Sequence, residues 1–116
     1  MAARIRRGDV VTIVAPRDYG KPRPAVIVQT DLLNSTHASV IVCPFTTERI
    51  DAPGFRLDFS PSSETGLRLP SQLMVDKIIA LPGSRIGERI GRLGKEELAA
   101  VDRSLGLVLG LADHRE

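Results

Sequence analysis

The stretch Lys21–Thr30, KPRPAVIVQT, constrains the fold more than any other part of the chain. Each proline, Pro22 and Pro24, fixes its own φ at about −65° and pushes the residue before it out of the α region. Arg23 is thereby held extended. Behind it, Ala25-Val26-Ile27-Val28 is continuous and apolar, the pattern of a buried strand. A permanently charged guanidinium on a stiff mount at the mouth of a strand suits an anion. A salt bridge at a sheet edge satisfies the same pattern, and position alone leaves both readings open.

The rest of the chain offers partners for that strand. Val10-Val11-Thr12-Ile13-Val14 follows the Gly8-Asp9 turn and is β-branched almost throughout. Ser39-Val40-Ile41-Val42-Cys43-Pro44-Phe45 is a third strand, which Pro44 is expected to take out of the sheet or to an edge. Phe55-Arg56-Leu57-Asp58-Phe59 alternates as a half-buried strand does. Gln72-Leu73-Met74-Val75-Asp76 reads as another strand, continued past a kink by Lys77–Leu81, with Ser84 capping a short turn beyond Pro82-Gly83. Arg89–Leu93 is the last short strand. Ala15–Gly20 is a loop carrying Arg17, Asp18 and the only tyrosine, Tyr19, and Asp31–Thr36 is at most one helical turn.

Near the C-terminus the period changes. Leu98, Val101, Leu105, Val108 and Leu109 recur at three- and four-residue steps, one stripe of a helix. Glu96 and Glu97 suit its positive end, Gly94 is a weak N-cap, and Gly110 is a natural stop. Asp102 and Arg103 fall off the stripe and read as solvated. Five or so short strands and one terminal helix predict a mainly β (α+β) fold, a small, strongly bent antiparallel sheet or partial barrel with the helix packed at one end. The 116 residues fit one domain, 1–116.

Composition narrows the chemistry. With three Phe, one Tyr and no Trp, an aromatic platform for stacking bases is not expected. Net charge is +2, carried by 13 Arg and 3 Lys, which permits an anionic partner. The single Cys43 allows neither an internal disulfide nor a multi-cysteine zinc site and reads as a core residue. No run approaches the ~18 apolar residues of a membrane span, and no secretory pattern follows the basic N-terminus, so a cytoplasmic protein is expected. There is no Gly-rich phosphate loop and no Gly-x-Ser-x-Gly elbow. His37 and His114 lie far apart, His37 in a loop and His114 in the tail, and the carboxylates are scattered, so no metal and no cofactor is expected.

What remains is Arg23, the hydroxyls of Thr46 and Thr47 leaving a strand, and Asp76 in an apolar run. These parts suit cleavage of RNA through its own 2′-hydroxyl, which needs no outside nucleophile. The protein must hold the backbone in line, neutralise the phosphorane and move protons. Arginine and threonine serve the phosphate but not as bases. Asp18 and Asp76 both remain open for that task.

In order and spacing, several segments together resemble the MazF/PemK toxins of bacterial toxin–antitoxin systems. They are Arg7-Gly8-Asp9-Val10, Lys21-Pro22-Arg23-Pro24 with the strand behind it, Val42-Cys43-Pro44-Phe45-Thr46-Thr47, Thr65-Gly66-Leu67, Val75-Asp76, Arg89–Leu93, Val101-Asp102 and Leu107–Leu111. The resemblance implies an SH3-like barrel with a C-terminal helix, a homodimer, and a metal-independent endoribonuclease that cuts single-stranded RNA to leave a 2′,3′-cyclic phosphate and a 5′-hydroxyl. It implies a small acidic antitoxin whose tail fills the RNA groove. By motif position the catalytic residues are Arg23 and Thr46, and Arg17, Tyr19, Lys21, Thr47, Arg49, Asp76 and Lys77 are candidate RNA contacts. The chain departs from the pattern in lacking the usual strand-one aromatic residue and the first-loop histidine of PemK-type members, and in having Met74 where those members carry arginine. Two other readings stand beside it. One is a non-enzymatic gyrase poison of the CcdB kind, although that family relies on a C-terminal tryptophan and this chain has none. The other is a degenerate member that binds RNA or antitoxin without cutting.

Overall fold

The computed structural model describes residues 4–111. Seven strands form one antiparallel sheet that does not close: β1 (Asp9–Ile13), β2 (Arg23–Ile27), β3 (Ser39–Thr46), β4 (Arg56–Phe59), β5 (Ser71–Met74), β6 (Ile79–Pro82) and β7 (Ile86–Arg92). Their order is β4-β5-β3-β2-β1-β7, with β6 also paired to β3. Two helices complete the chain, the single turn α1 (Asp31–Asn34) and the terminal α2 (Lys95–Val108). The expected bent sheet with a C-terminal helix is therefore present, as an open sheet.

Period-two alternation divides the sheet residues between two cores. Val10, Val26, Cys43 and Phe45 join Phe59, Leu73, Val101 and Leu105 on the α2 side. Val11, Ile13, Ala25, Ile27, Val40 and Val42 pack with Leu81 on the other. The sheet is covered on both faces here, which is why β1, β2 and β3 read as unbroken apolar runs. Phe45 and Phe59 meet edge to face at 5.3 Å. The pairing of β1 with β7 shifts register at Val10/Val11 and again at Val11/Ile13, irregularities of the kind that bend a strand.

Three expectations are corrected. Pro44 does not end β3. The strand runs on to Thr46, because Pro44 pairs with Ala25 on one side while the partner on the other side changes from β6 to β5 around it. Asp76 is not in a strand: β5 stops at Met74, and Val75–Lys77 form a 3-10 turn that carries the chain from β5 to β6. Asp102 is not merely solvated. It accepts from Arg7 Nη2 at 2.6 Å while Arg7 Nε donates to the Val28 carbonyl at 2.8 Å, so the N-terminal segment is pinned to α2.

The ends of α2 follow the sequence. The Gly94 N–H donates to Glu97 Oε1 at 2.8 Å. At the far end Gly110 adopts φ +70°, and the Leu111 N–H reaches the Gly106 carbonyl, a Schellman stop. One loop matters for the site. The Pro61–Leu67 segment lies against β7, where the Arg92 N–H donates to the Glu64 carbonyl at 2.8 Å. A Cβ on Gly91 would overlap the Thr65 carbonyl, and one on Gly66 the Ile90 carbonyl, so both glycines are needed for this backbone-to-backbone approach.

Candidate active site

The registers of β1, β2 and β3 place the start of β2 beside the end of β3. Ala25 pairs with Pro44, and the same register carried two residues further sets Arg23 alongside Thr46. Both residues line an open groove of about 1400 Å³. One wall is the β1–β2 loop with Arg17, Asp18, Tyr19 and Lys21, and the other is the segment with Pro61, Ser62, Ser63, Arg68 and Leu69. Thr47 and Glu48 continue the rim beyond β3. Four lining cations (Arg17, Lys21, Arg23, Arg68) face two lining carboxylates (Asp18, Glu48), so the groove has a net positive charge.

Arg23 is held at both ends. Its backbone is part of β2 and opposite Ile13. Its guanidinium donates to Asp18 through Nε at 2.8 Å and Nη2 at 2.7 Å, and to the Phe45 carbonyl through Nη1 at 3.2 Å. The salt-bridge reading left open by the sequence is therefore present, and it does not use up the guanidinium. A guanidinium has five N–H donors, and three are engaged in these bonds. Two stay available, on a side chain that is 36% exposed.

Asp18 is brought to Arg23 by its loop. Pro16–Asp18 form a 3-10 turn in which the Asp18 N–H donates to the Ala15 carbonyl, and the Asp18 carbonyl accepts from the Lys21 N–H. Tyr19 and Gly20 then follow with φ of +53° and +83°. This tight return leaves the Asp18 carboxylate only 11% exposed and the Tyr19 side chain 96% exposed at the groove rim.

Thr46 Oγ1 accepts from the Glu48 N–H at 3.1 Å. With a lone pair so occupied, the hydroxyl proton is free to be donated into the groove. Of the residues singled out from sequence, Arg23, Thr46, Arg17, Tyr19, Lys21 and Thr47 share this groove; Arg49, Asp76 and Lys77 are exposed and outside its lining. Asp76 is held by Arg56, with Oδ1 2.8 Å from Nε, and that guanidinium lowers the carboxyl below its ordinary range. Arg56 itself lines a separate pocket of about 310 Å³ with Asp58 and Gln72.

His37 is exposed and does not line the groove, and His114 lies outside the described residues. Cys43 is buried in the core, and burial pushes its thiol up to about 12. Among the described residues no three His, Cys, Asp or Glu side chains gather as metal ligands do, and no helix is long and apolar enough to cross a membrane. Sequence reasoning missed Arg68 and Glu48. Arg68 had no signal of its own in the sequence, since Leu67 and Leu69 beside it line the same groove. Glu48 had only its place two residues after Thr46.

Comparison with known proteins bears on this geometry. Residues 6–109 match the model of a family described as PemK-like, MazF-like toxin of type II toxin–antitoxin system. The chain is 45% identical over 109 residues to the probable endoribonuclease MazF of Mycolicibacterium smegmatis, covering 93% of this chain and 99% of that protein. It is 28% identical over 116 residues to endoribonuclease MazF9 of Mycobacterium tuberculosis, covering 92% and 98%. The fold is similar to that of an endoribonuclease in complex with its cognate antitoxin from a mycobacterial species, at TM-score 0.77 and 23% identity over 92% of this chain and 96% of that one. It is also similar to MazE–MazF from Deinococcus radiodurans, at TM-score 0.76 and 21% identity over 93% and 97%.

Proposed function

The chain belongs to the PemK-like, MazF-like family of type II toxin–antitoxin toxins, and from that premise we propose that it is an endoribonuclease that cleaves single-stranded RNA through the RNA's own 2′-hydroxyl. The observation that carries the reading is the convergence of Arg23 and Thr46 on one open, positively lined groove. Arg23 turns its two remaining N–H groups to the scissile phosphate and gathers the charge that develops on the phosphorane. Thr46 donates its hydroxyl proton to a non-bridging oxygen. Arg17, Lys21 and Thr47 hold the flanking backbone, and Tyr19 stands where an unstacked base would pass. The step leaves a 2′,3′-cyclic phosphate and a 5′-hydroxyl, with no metal required.

The partners follow from the same groove. A cognate antitoxin with an acidic tail fits its charge, and the family supports a homodimer. A role for Arg49, Asp76 and Lys77 in RNA contact then belongs to a longer path across the protein surface. The gyrase-poison reading is not favoured, because the curated relatives are named endoribonucleases.

The test is incubation of the purified protein with single-stranded RNA in EDTA, followed by end analysis of the fragments. Cleavage is expected, with 5′ ends that accept a kinase label without prior phosphatase treatment. Arg23→Ala is expected to lower the rate by about a hundredfold, the scale of losing one preorganised charge donor. A strict need for added divalent cation, or a folded Arg23→Ala protein of native rate, would overturn the assignment.

A further inference from the structure

We infer that Glu48 is the general base that takes the proton of the attacking 2′-hydroxyl. The inference rests on the ribonuclease reading above and supplies the proton acceptor that neither Arg23 nor Thr46 provides.

The groove offers few bases. Its hydroxyls cannot hold a second proton at neutral pH, and its arginines do not release one. Among the described residues, neither His37 nor Asp76 lines it. Among the described residues two acidic ones do, Asp18 and Glu48. Asp18 is committed: each oxygen accepts a guanidinium N–H of Arg23, at 2.8 and 2.7 Å. Protonating it would turn one accepting oxygen into an O–H and cost one of the two bonds by which it orients Arg23. Glu48 is uncommitted. Among the described residues its carboxylate makes no ion pair and no side-chain hydrogen bond. Its backbone N–H meanwhile bonds Thr46 Oγ1, which ties the base to the phosphate-binding hydroxyl with only one residue between them.

In the step, the 2′-oxygen forms a bond to phosphorus as its proton passes to the Glu48 carboxylate. The bond from phosphorus to the 5′-oxygen breaks, and that oxygen keeps the electron pair and takes a proton from solvent water in the open groove. The Glu48 carboxylic acid then returns its proton to solvent, so the reaction is neutral in protons overall. A carboxylate general base is worth on the order of 10²–10⁴ in rate when positioned.

Glu48→Gln isolates the carboxylate, because the backbone N–H to Thr46 stays in place. Two quantities are measured on the full chain: single-turnover cleavage of an RNA oligonucleotide that the native protein cuts, and affinity for the same oligonucleotide with a 2′-deoxy residue at the cut. Expected is a loss of about a hundredfold or more in rate, with affinity within about threefold of native and part of the rate restored in Glu48→Asp. A native rate in Glu48→Gln overturns the inference. So does a loss of affinity that accounts for the loss of rate, which would make Glu48 a binding residue. If the native protein leaves every RNA intact, the ribonuclease reading itself falls, and this inference falls with it.

Discussion

Asp18→Asn separates the charge of Arg23 from its orientation. The substitution keeps the size of the side chain and removes its charge. Of the two bonds from Arg23, the amide oxygen keeps one, and the amide nitrogen faces the other guanidinium N–H donor to donor. One charge-assisted bond is lost, about 1.5–3 kcal/mol in a favourable setting. With Asp18 11% exposed and Arg23 36% exposed, solvent screens part of this. About 1–2 kcal/mol of orientation remains, and at about 1.4 kcal/mol per decade kcat falls roughly 5- to 30-fold. Binding moves the other way. The groove loses one of its two carboxylates and keeps four cations, so KM for RNA falls or holds. The assay is steady-state cleavage of a labelled oligonucleotide, with kcat and KM resolved separately. A native or raised kcat in the folded variant would refute the argument, because it would mean that Asp18 restrains Arg23 and does not aim it.

Three further outcomes follow from the packing. Gly91→Ala drives a Cβ into the Thr65 backbone, which cannot move aside as a side chain can; a loss of about 3 kcal/mol is expected in urea denaturation, and an unchanged midpoint would show that the Pro61–Leu67 wall yields. Arg56 holds the Asp76 carboxyl below its ordinary 3.8, so the pair contributes stability above that pH and loses it as pH falls through the lower folded value. The midpoint gap between native protein and Asp76→Asn should therefore shrink as pH falls below 3.8, and a gap that stays constant through the whole acid range would contradict the assignment. Burial raises the Cys43 thiol from 9.0 to about 12, so the unfolded chain ionises first and stability declines as pH rises between those values. At pH 8 a thiol reagent should label the protein only in denaturant, and rapid labelling of the native state would place Cys43 at an accessible site.

The strands were legible because their residue types carry backbone preference locally: β-branched runs for β1 to β3, and Arg56–Phe59 by alternation. The helix was legible by its stripe, and its C-terminal stop by Gly110. What the sequence hid were contacts between residues far apart along the chain. Asp102 lies off the helical stripe and so reads as solvent-facing, yet Arg7, 95 positions away, donates to it. The Val75–Lys77 turn is marked in the sequence only by the charged pair Asp76-Lys77, which reads as a kink in one strand and not as its end. Pro44 was read by a rule about missing N–H groups, but the rule asks where that N–H would point. At Pro44 the ladder on one side is changing partners. Of the site, the strand-borne pair Arg23 and Thr46 was readable, while Arg68 and Glu48 depend on how loops close over the groove.

The arrangement around Arg23 also changes what its two prolines accomplish. They stiffen the backbone, but a guanidinium stands at the end of a long flexible stem, and a rigid Cα does not aim it. The aiming is done at the far end by Asp18 and the Phe45 carbonyl, which together occupy three N–H groups. On the proposed mechanism, this division of labour sets the carboxylate next to Arg23 to orientation and leaves the proton to another group. A proton on it would cost one of the bonds that orient Arg23, at the moment when charge gathers on the phosphate. A site that uses one carboxylate to fix its cation needs a second, unpaired one to move the proton. In this groove Glu48 is the lining carboxylate that meets the requirement.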